Sequence, residues 1–141
     1  MAGGALRRAV YVDTSGWYAL LVERDQNHRA AARQFQALGA ERRPLVVTNY
    51  VAAETYTLLR VRRGAEAALG FLRRLRATQT VHKVRVEEEW ERAAEELLEK
   101  YRDHELSYVD ATSFVAMRKL ALSEVMSFDG DFATAGFRIL P

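Results

Sequence analysis

The chain has 141 residues, 49% of them hydrophobic, and carries 21 Lys+Arg against 19 Asp+Glu for a formal net charge of +2. That length suits one domain (residues 1–141) able to bury about two-thirds of its unfolded surface. The absence of cysteine excludes disulfides, thiolate zinc sites and cysteine nucleophiles.

In chain order, the start MAGGALRRAVYVD has two arginines but no long apolar segment behind them, so it does not read as a secretory signal. No stretch approaches the ~20 apolar residues of a membrane span, and a cytoplasmic location is expected. Ala9 to Val12 reads as a buried strand stopping in a turn at Asp13-Thr14-Ser15-Gly16. Helical sequence follows over Trp17 to Val22 and Asn27 to Leu38, closed by Gly39. Leu45 to Thr48 is a second strand, entered at Pro44. Tyr50 to Arg62 and Ala65 to Arg76 are helices on either side of Gly64, and the valine-rich Thr80 to Val86 is a strand.

Glu87 to Tyr101 carries Trp90, Ala94, Leu97, Leu98 and Tyr101 at helical spacing on an otherwise charged surface. Ser107 to Leu120 is a further helix, Glu124 to Phe128 a strand, Asp131 to Ala135 a helical turn and Phe137 to Leu140 a last strand. Short valine-rich strands alternating with helices predict an α/β fold, a three-layer α/β/α sandwich around a central parallel sheet of about five strands.

Four acids stand in apolar surroundings at the edges of these elements: Asp13, Glu54, Asp110 and Asp129. Burying a carboxylate alone is expensive unless it is paired or holds a metal. In open parallel sheets ligands bind outside the carboxyl ends of the strands, where Asp13 and Asp129 are expected to end theirs. Val51, Glu54, Leu58 and Val61 share a helical stripe, as do Asp110, Phe114, Met117 and Ala121, so the two helix-borne acids are predicted to face the same rim. Taken singly, each acid has a plainer role: a cap for Asp13 or Asp129, a first-turn residue for Asp110, a carboxylate satisfied by an arginine for Glu54. Taken together, they repel one another unless divalent cations intervene. Magnesium or manganese prefers such oxygen ligands and serves phosphodiester cleavage.

The motifs YVDTSGW, TNYVAAETYTLL, SYVDATSFVAM and SFDGDFATAGF, in this order and spacing, resemble the acidic motifs of PIN-domain ribonucleases over essentially the whole chain. By size and motif the chain is most similar to VapC-type toxins of type II toxin–antitoxin pairs. The resemblance implies a Mg2+- or Mn2+-dependent endoribonuclease acting on RNA, a cognate antitoxin that blocks the acidic site, and a homodimer packed through helices, for which Asn27–Leu38 and Tyr50–Arg62 are the candidates. It makes Asp13, Glu54, Asp110 and Asp129 the catalytic quartet. Asp13 and Asp110 would be direct metal ligands, with Glu54 and Asp129 holding a second ion or its waters. Ser15 and Ser127 match hydroxyl positions of the family. Asp131 is an additional acid, expected to cap the turn that follows it rather than to bind a metal.

Arg60, Arg62, Arg63, Arg73, Arg74 and Arg76 crowd the middle of the chain. They would either follow an RNA backbone, with Arg60, Arg73 and Arg74 as the leading candidates, or pair with the acidic helix after them. His28, His82 and His104 lack a spaced partner for zinc and read as surface or loop residues. Gly3-Gly4 and Gly130 make no phosphate loop, and Asp129-Gly130-Asp131 lacks the glutamate of a calcium loop. Tyr11, Tyr50, Tyr56 and Trp17 are expected in the core or at a dimer contact, with base stacking as the alternative. Three readings compete with the toxin: a PIN-type RNA-processing nuclease, a silent RNA- or protein-binding PIN module, and a different metal-dependent phosphoryl-transfer enzyme.

Overall fold

The computed structural model describes residues 6–141; the Gly3-Gly4 pair lies outside them. Among the described residues five strands, β1 (Val10–Val12), β2 (Leu45–Thr48), β3 (Val81–Val84), β4 (Glu124–Met126) and β5 (Arg138–Ile139), form one sheet in the order β3-β2-β1-β4-β5. Every pairing is parallel, with Tyr11 opposite both Val46 and Val125. The helices are α1 (Thr14–Leu21), α2 (His28–Ala40), α3 (Asn49–Arg63), α4 (Ala65–Ala77), α5 (Glu88–Lys100), α6 (Tyr108–Lys119) and the short α7 (Asp131–Thr134). β1 and β2 are buried at every position, as strands covered on both faces must be, so the predicted α/β/α sandwich holds.

Val10, Tyr11, Val12, Val46, Val47, Val125 and Met126 are all fully buried. Each such side chain contributes about 1.5–3 kcal/mol by leaving water. The predicted stripe on α5 holds for four of its five residues: Ala94 is buried, Trp90, Leu97 and Leu98 pack with Ala111 and Val115 of α6, and Tyr101, past the helix end, is exposed instead.

Several boundaries move. α1 begins directly at Thr14, so the expected turn at Asp13–Gly16 is the first turn of a helix capped by Asp13. β4 ends at Met126, so Asp129 lies in a loop rather than at the strand end. The physical reason is a change of hydrogen-bond partner: the Phe128 and Asp129 amides go to the hydroxyls of Ser15 and Ser127 instead of continuing a ladder. β3 stops at Val84, and the Val86 amide donates to Asn49 Oδ1.

The sheet order changes direction between β1 and β4, since the chain fills one side with β2 and β3 before crossing to β4 and β5. A crevice at the carboxyl ends of those two strands follows from this switch.

Candidate active site

Asp13 follows β1 directly and caps α1. Its Oδ1 accepts from the Gly16 amide (2.9 Å) and the Ser15 hydroxyl (2.8 Å), and its Oδ2 from the Ser127 hydroxyl (2.7 Å). The plainer role, helix cap, and the site role coincide in this residue. Close approach makes it possible: a Cβ on Gly16 would lie 2.4 Å from the Met126 carbonyl oxygen. Only glycine lets α1 start this near β4.

The side chain of Asp13 is only 6% exposed, and burial is the main influence on its carboxyl, pushing it up to about 6; the hydrogen bonds from Ser127, Gly16 and Ser15 oppose this and the Asp129 charge adds to it. Asp110, in the first turn of α6 behind the Ser107 cap, is also raised, first by burial and further by the charges of Asp129 and Glu54. Both carboxyls are thus raised chiefly by burial, with the neighbouring acids adding to it.

Glu54 stands one turn into α3. The buried face of that helix is Val51, Ala52, Thr55 and Leu59, so the predicted stripe through Val61 is corrected: Val61 is 79% exposed and Glu54 sits at the margin of the packed face. A continuous apolar stripe would have buried the carboxylate; the margin turns it to the crevice, where Oε1 accepts from the Thr14 hydroxyl at 2.5 Å. Asp129 Oδ1 accepts from the Asp131 amide at 2.9 Å, and α7 has no side-chain cap at its preceding residue, Gly130. The expectation that Asp131 caps this turn is thus corrected; the bond is made by Asp129.

All four predicted acids, Asp13, Glu54, Asp110 and Asp129, line one cleft of about 310 Å³ together with Thr14, Ser15 and Ser113. No Lys, Arg or His lines it among the described residues, so the protein itself supplies no countercharge. The tightest grouping is not the quartet: one carboxylate oxygen each from Asp110, Asp129 and Asp131 lies within 4.8 Å of the others. An all-oxygen donor set with uncompensated charge fits a hard divalent cation, and the raised carboxyls of Asp13 and Asp110 are those such an ion would return to the charged form.

Three roles escaped sequence reasoning. Thr14 carries the bond to Glu54; its place next to Asp13 was visible, its partner 40 residues away was not. Ser113 accepts from the fully buried Tyr11 hydroxyl at 2.7 Å, with the Thr48 hydroxyl 3.4 Å away, a polar link beneath the cleft. Ser107 caps α6 through the Asp110 amide at 3.0 Å.

The arginines are elsewhere. Arg60, Arg73 and Arg74 line neither this cleft nor the groove of about 1080 Å³ beside it, which runs along α3 and shares Glu54, Leu58 and Val109 with the cleft. Its basic residues are Arg62 and Arg85. Among the described residues no arginine between Arg60 and Arg76 pairs with α5; Arg73 pairs with Glu66 of its own helix at 2.7 Å. Tyr11 and Trp17 are core residues, whereas Tyr50 lines the groove and stacks on Tyr108, ring centroids 5.7 Å apart.

The PIN domain family model matches residues 10–138. The 23S rRNA-specific endonuclease VapC20 of Mycobacterium tuberculosis, from strains CDC 1551 and H37Rv alike, is 41% identical over 129 residues, covering 91% of this chain and 95% of the relative. The crystal structure of VapC20 from Mycobacterium tuberculosis, described as a sarcin-ricin loop cleaving toxin, superposes with a TM-score of 0.82 at 39% identity, over 91% of this chain and 95% of that one. The structure of FitAcB from Neisseria gonorrhoeae shares the fold at a TM-score of 0.67 and 15% identity, covering 94% and 96% of the two chains. By family match, sequence identity and superposition alike, the chain belongs to the PIN-domain family and is a homologue of the VapC-type endoribonuclease toxins.

Proposed function

We propose that this protein is a toxin of a toxin–antitoxin pair that cuts RNA phosphodiester bonds with Mg2+ or Mn2+, and that its target is the sarcin-ricin loop of 23S rRNA. The observation that carries the cleavage chemistry is the convergence of Asp13, Glu54, Asp110 and Asp129 on one cleft without a basic side chain. The target rests on the 41% identity to VapC20 over most of both chains.

Asp110, Asp129 and Asp131 would hold one ion, with Asp13 and Glu54 completing or hydrating the site. When bound, such an ion polarises the scissile phosphate and makes a nearby water a better nucleophile. The chain's own groups do the positioning. Ser15 and Ser127 hold both oxygens of Asp13 in place, and Thr14 fixes one oxygen of Glu54, leaving the other to orient a water. Rigid carboxylates make charge stabilisation effective, because little reorganisation is needed as charge develops on the phosphate.

A cognate antitoxin occupying the acidic cleft, an assembly of two copies, and a cytoplasmic place of action complete the reading. Val61 on α3 and Leu69 on α4, 79% and 42% exposed, support helix packing between copies. Of the two helices expected at such a contact, α3 carries Val61, and α2 carries Phe35 at 38% exposure. Among the described residues no helix is long and apolar enough to cross a membrane.

The test is incubation of purified protein with 23S rRNA in Mg2+, Mn2+ or EDTA, beside Asp13→Asn and Asp110→Asn. Metal-dependent cutting lost in both variants is expected. Binding of RNA without cutting in any metal by folded, antitoxin-free protein would make the chain a binding module instead.

A further inference from the structure

A third concavity, of about 370 Å³, opens beside the acids, between the end of α5, the loop to α6, and the facing sides of α6 and α7. Leu106 and Phe114 give it apolar surface, Tyr101 and His104 two aromatic rings set edge to face at 5.9 Å, and Arg118 and Thr134 polar groups. It adjoins the acidic cleft along two separate stretches of chain. Leu106 lines this pocket and Ser107, the next residue, lines the cleft; Asp131 lines this pocket while Asp129 lines the cleft. Asp131 also brings a carboxylate oxygen within 4.8 Å of Asp110 and Asp129.

We propose that this pocket receives the nucleobase of the nucleotide adjoining the scissile phosphate, stacked on Tyr101 with His104 meeting it edge-on, and with Arg118 reaching its phosphate. The inference rests on the nuclease reading and adds to it a subsite that selects the cleavage position. The chemistry favours a nucleotide over other occupants. An aromatic face with a second ring edge-on above apolar side chains suits a flat base, and a guanidinium suits a phosphate. Arg118 is already held over the Phe137 ring at 5.8 Å, so little side-chain freedom is lost on binding. Glu105, also in the lining, presents a carboxylate to bases that carry an amino group. The larger groove along α3 does not compete for this role, since its aromatic residue, Tyr50, is already stacked on Tyr108 and bonded to Glu91.

The experiment is a backbone-amide NMR titration of the whole protein, in Mg2+, with the four nucleoside 5′-monophosphates and with inorganic phosphate. Expected are saturable shifts at Tyr101, His104, Arg118 and Thr134 with at least one nucleotide and not with phosphate alone. Tyr101→Ala should weaken that nucleotide about tenfold, the loss of one stacked ring, while Tyr101→Phe keeps it. In cleavage of 23S rRNA, Tyr101→Ala should raise KM or redistribute the cuts while kcat at the retained position stays. Shifts confined to the acids, or equal shifts with phosphate, or affinity indifferent to Tyr101→Ala in a folded variant, would overturn the subsite. Cutting that persists with normal KM and unchanged positions would do the same and leave the nuclease reading standing. A protein that binds nucleotides here but cuts no RNA would sink the nuclease reading instead.

Discussion

The Ser127 hydroxyl donates to Asp13 Oδ2 at 2.7 Å across 114 positions of sequence, and its oxygen accepts from the Asp129 amide at 3.0 Å. One side chain thus ties two acids of the cleft to each other and, together with Ser15, takes up the amides beyond the end of β4. Removing a partner that orients a ligand usually lowers metal affinity or activity by about 10- to 100-fold. Ser127→Ala is therefore expected to raise the Mg2+ concentration for half-maximal cleavage at least about tenfold, measured in a metal titration. An unchanged half-point would mean that Asp13 is held by Ser15 and Gly16 alone.

Thr14 plays the corresponding part for Glu54, with the difference that its partner sits on a separate helix. Thr14→Val keeps shape and removes the donor. It is expected to lower cleavage by about one order of magnitude without altering the melting temperature, while Glu54→Gln lowers it much further. If the two variants lose the same activity, Glu54 works only when bound by Thr14.

The raised carboxyl of Asp13 has a consequence for stability. Its folded value of about 6 lies above the ordinary 3.8, so between those pH values the folded protein binds the proton and the unfolded chain does not. Metal-free protein must therefore lose stability as pH rises from about 4 to 6, on the order of 3 kcal/mol from this group, and stay level above that. Asp110, shifted in the same direction, adds to the loss. Thermal melts in EDTA should show the decline, Asp13→Asn should flatten it, and Mg2+ should stabilise most above pH 6. A wild-type melting temperature independent of pH over this range would contradict the buried, repelled state of Asp13.

The arginine cluster separates into two groups once folded. Arg62 and Arg85 line the groove that opens into the cleft; Arg73 and Arg74 sit on α4, away from it. Charge reversal at Arg62 and Arg85 is expected to weaken RNA binding and reduce the salt slope by about 0.7 for each phosphate no longer neutralised. Reversal at Arg73 and Arg74 should change neither as much. The opposite ranking, in filter binding at several salt concentrations, would return the RNA path to α4.

Much of this architecture was legible because it depends on local pattern. The valine runs marked the strands, the five-residue stripe on α5 marked that helix, and the parallel topology carried Asp13, Glu54, Asp110 and Asp129 to one rim. What was not legible depends on partners distant in sequence. β4 is short because the hydroxyls of Ser15 and Ser127 take the amides beyond Met126, and α1 starts early because Gly16 admits β4. Asp131 shows the same limit: its sequence context suits a cap, but α7 turns its carboxylate to Asp110, which enters from the start of α6. Charge runs misled for a related reason, since clustering along the chain does not say which side of a helix meets the groove.

Gly16 offers the sharpest check on how the scaffold supports the acids. A methyl group there would meet the Met126 carbonyl oxygen at 2.4 Å and Val12 Cγ1 at 3.0 Å, and the first of these is backbone that cannot rotate away. Relief requires α1 to shift from β4, which lengthens the bond between Ser127 and Asp13 and opens the pairing of β1 with β4, where the Asp13 amide donates to Met126 at 3.3 Å. Overpacking of this kind costs about 1–3 kcal/mol. The same shift misplaces a carboxylate, so activity should fall by more than stability explains. Gly16→Ala is expected to lower the melting temperature by several degrees and cleavage, at a temperature where the variant is folded, by about tenfold or more. A variant that melts early yet cuts normally would show that Asp13 keeps its place independently of β4.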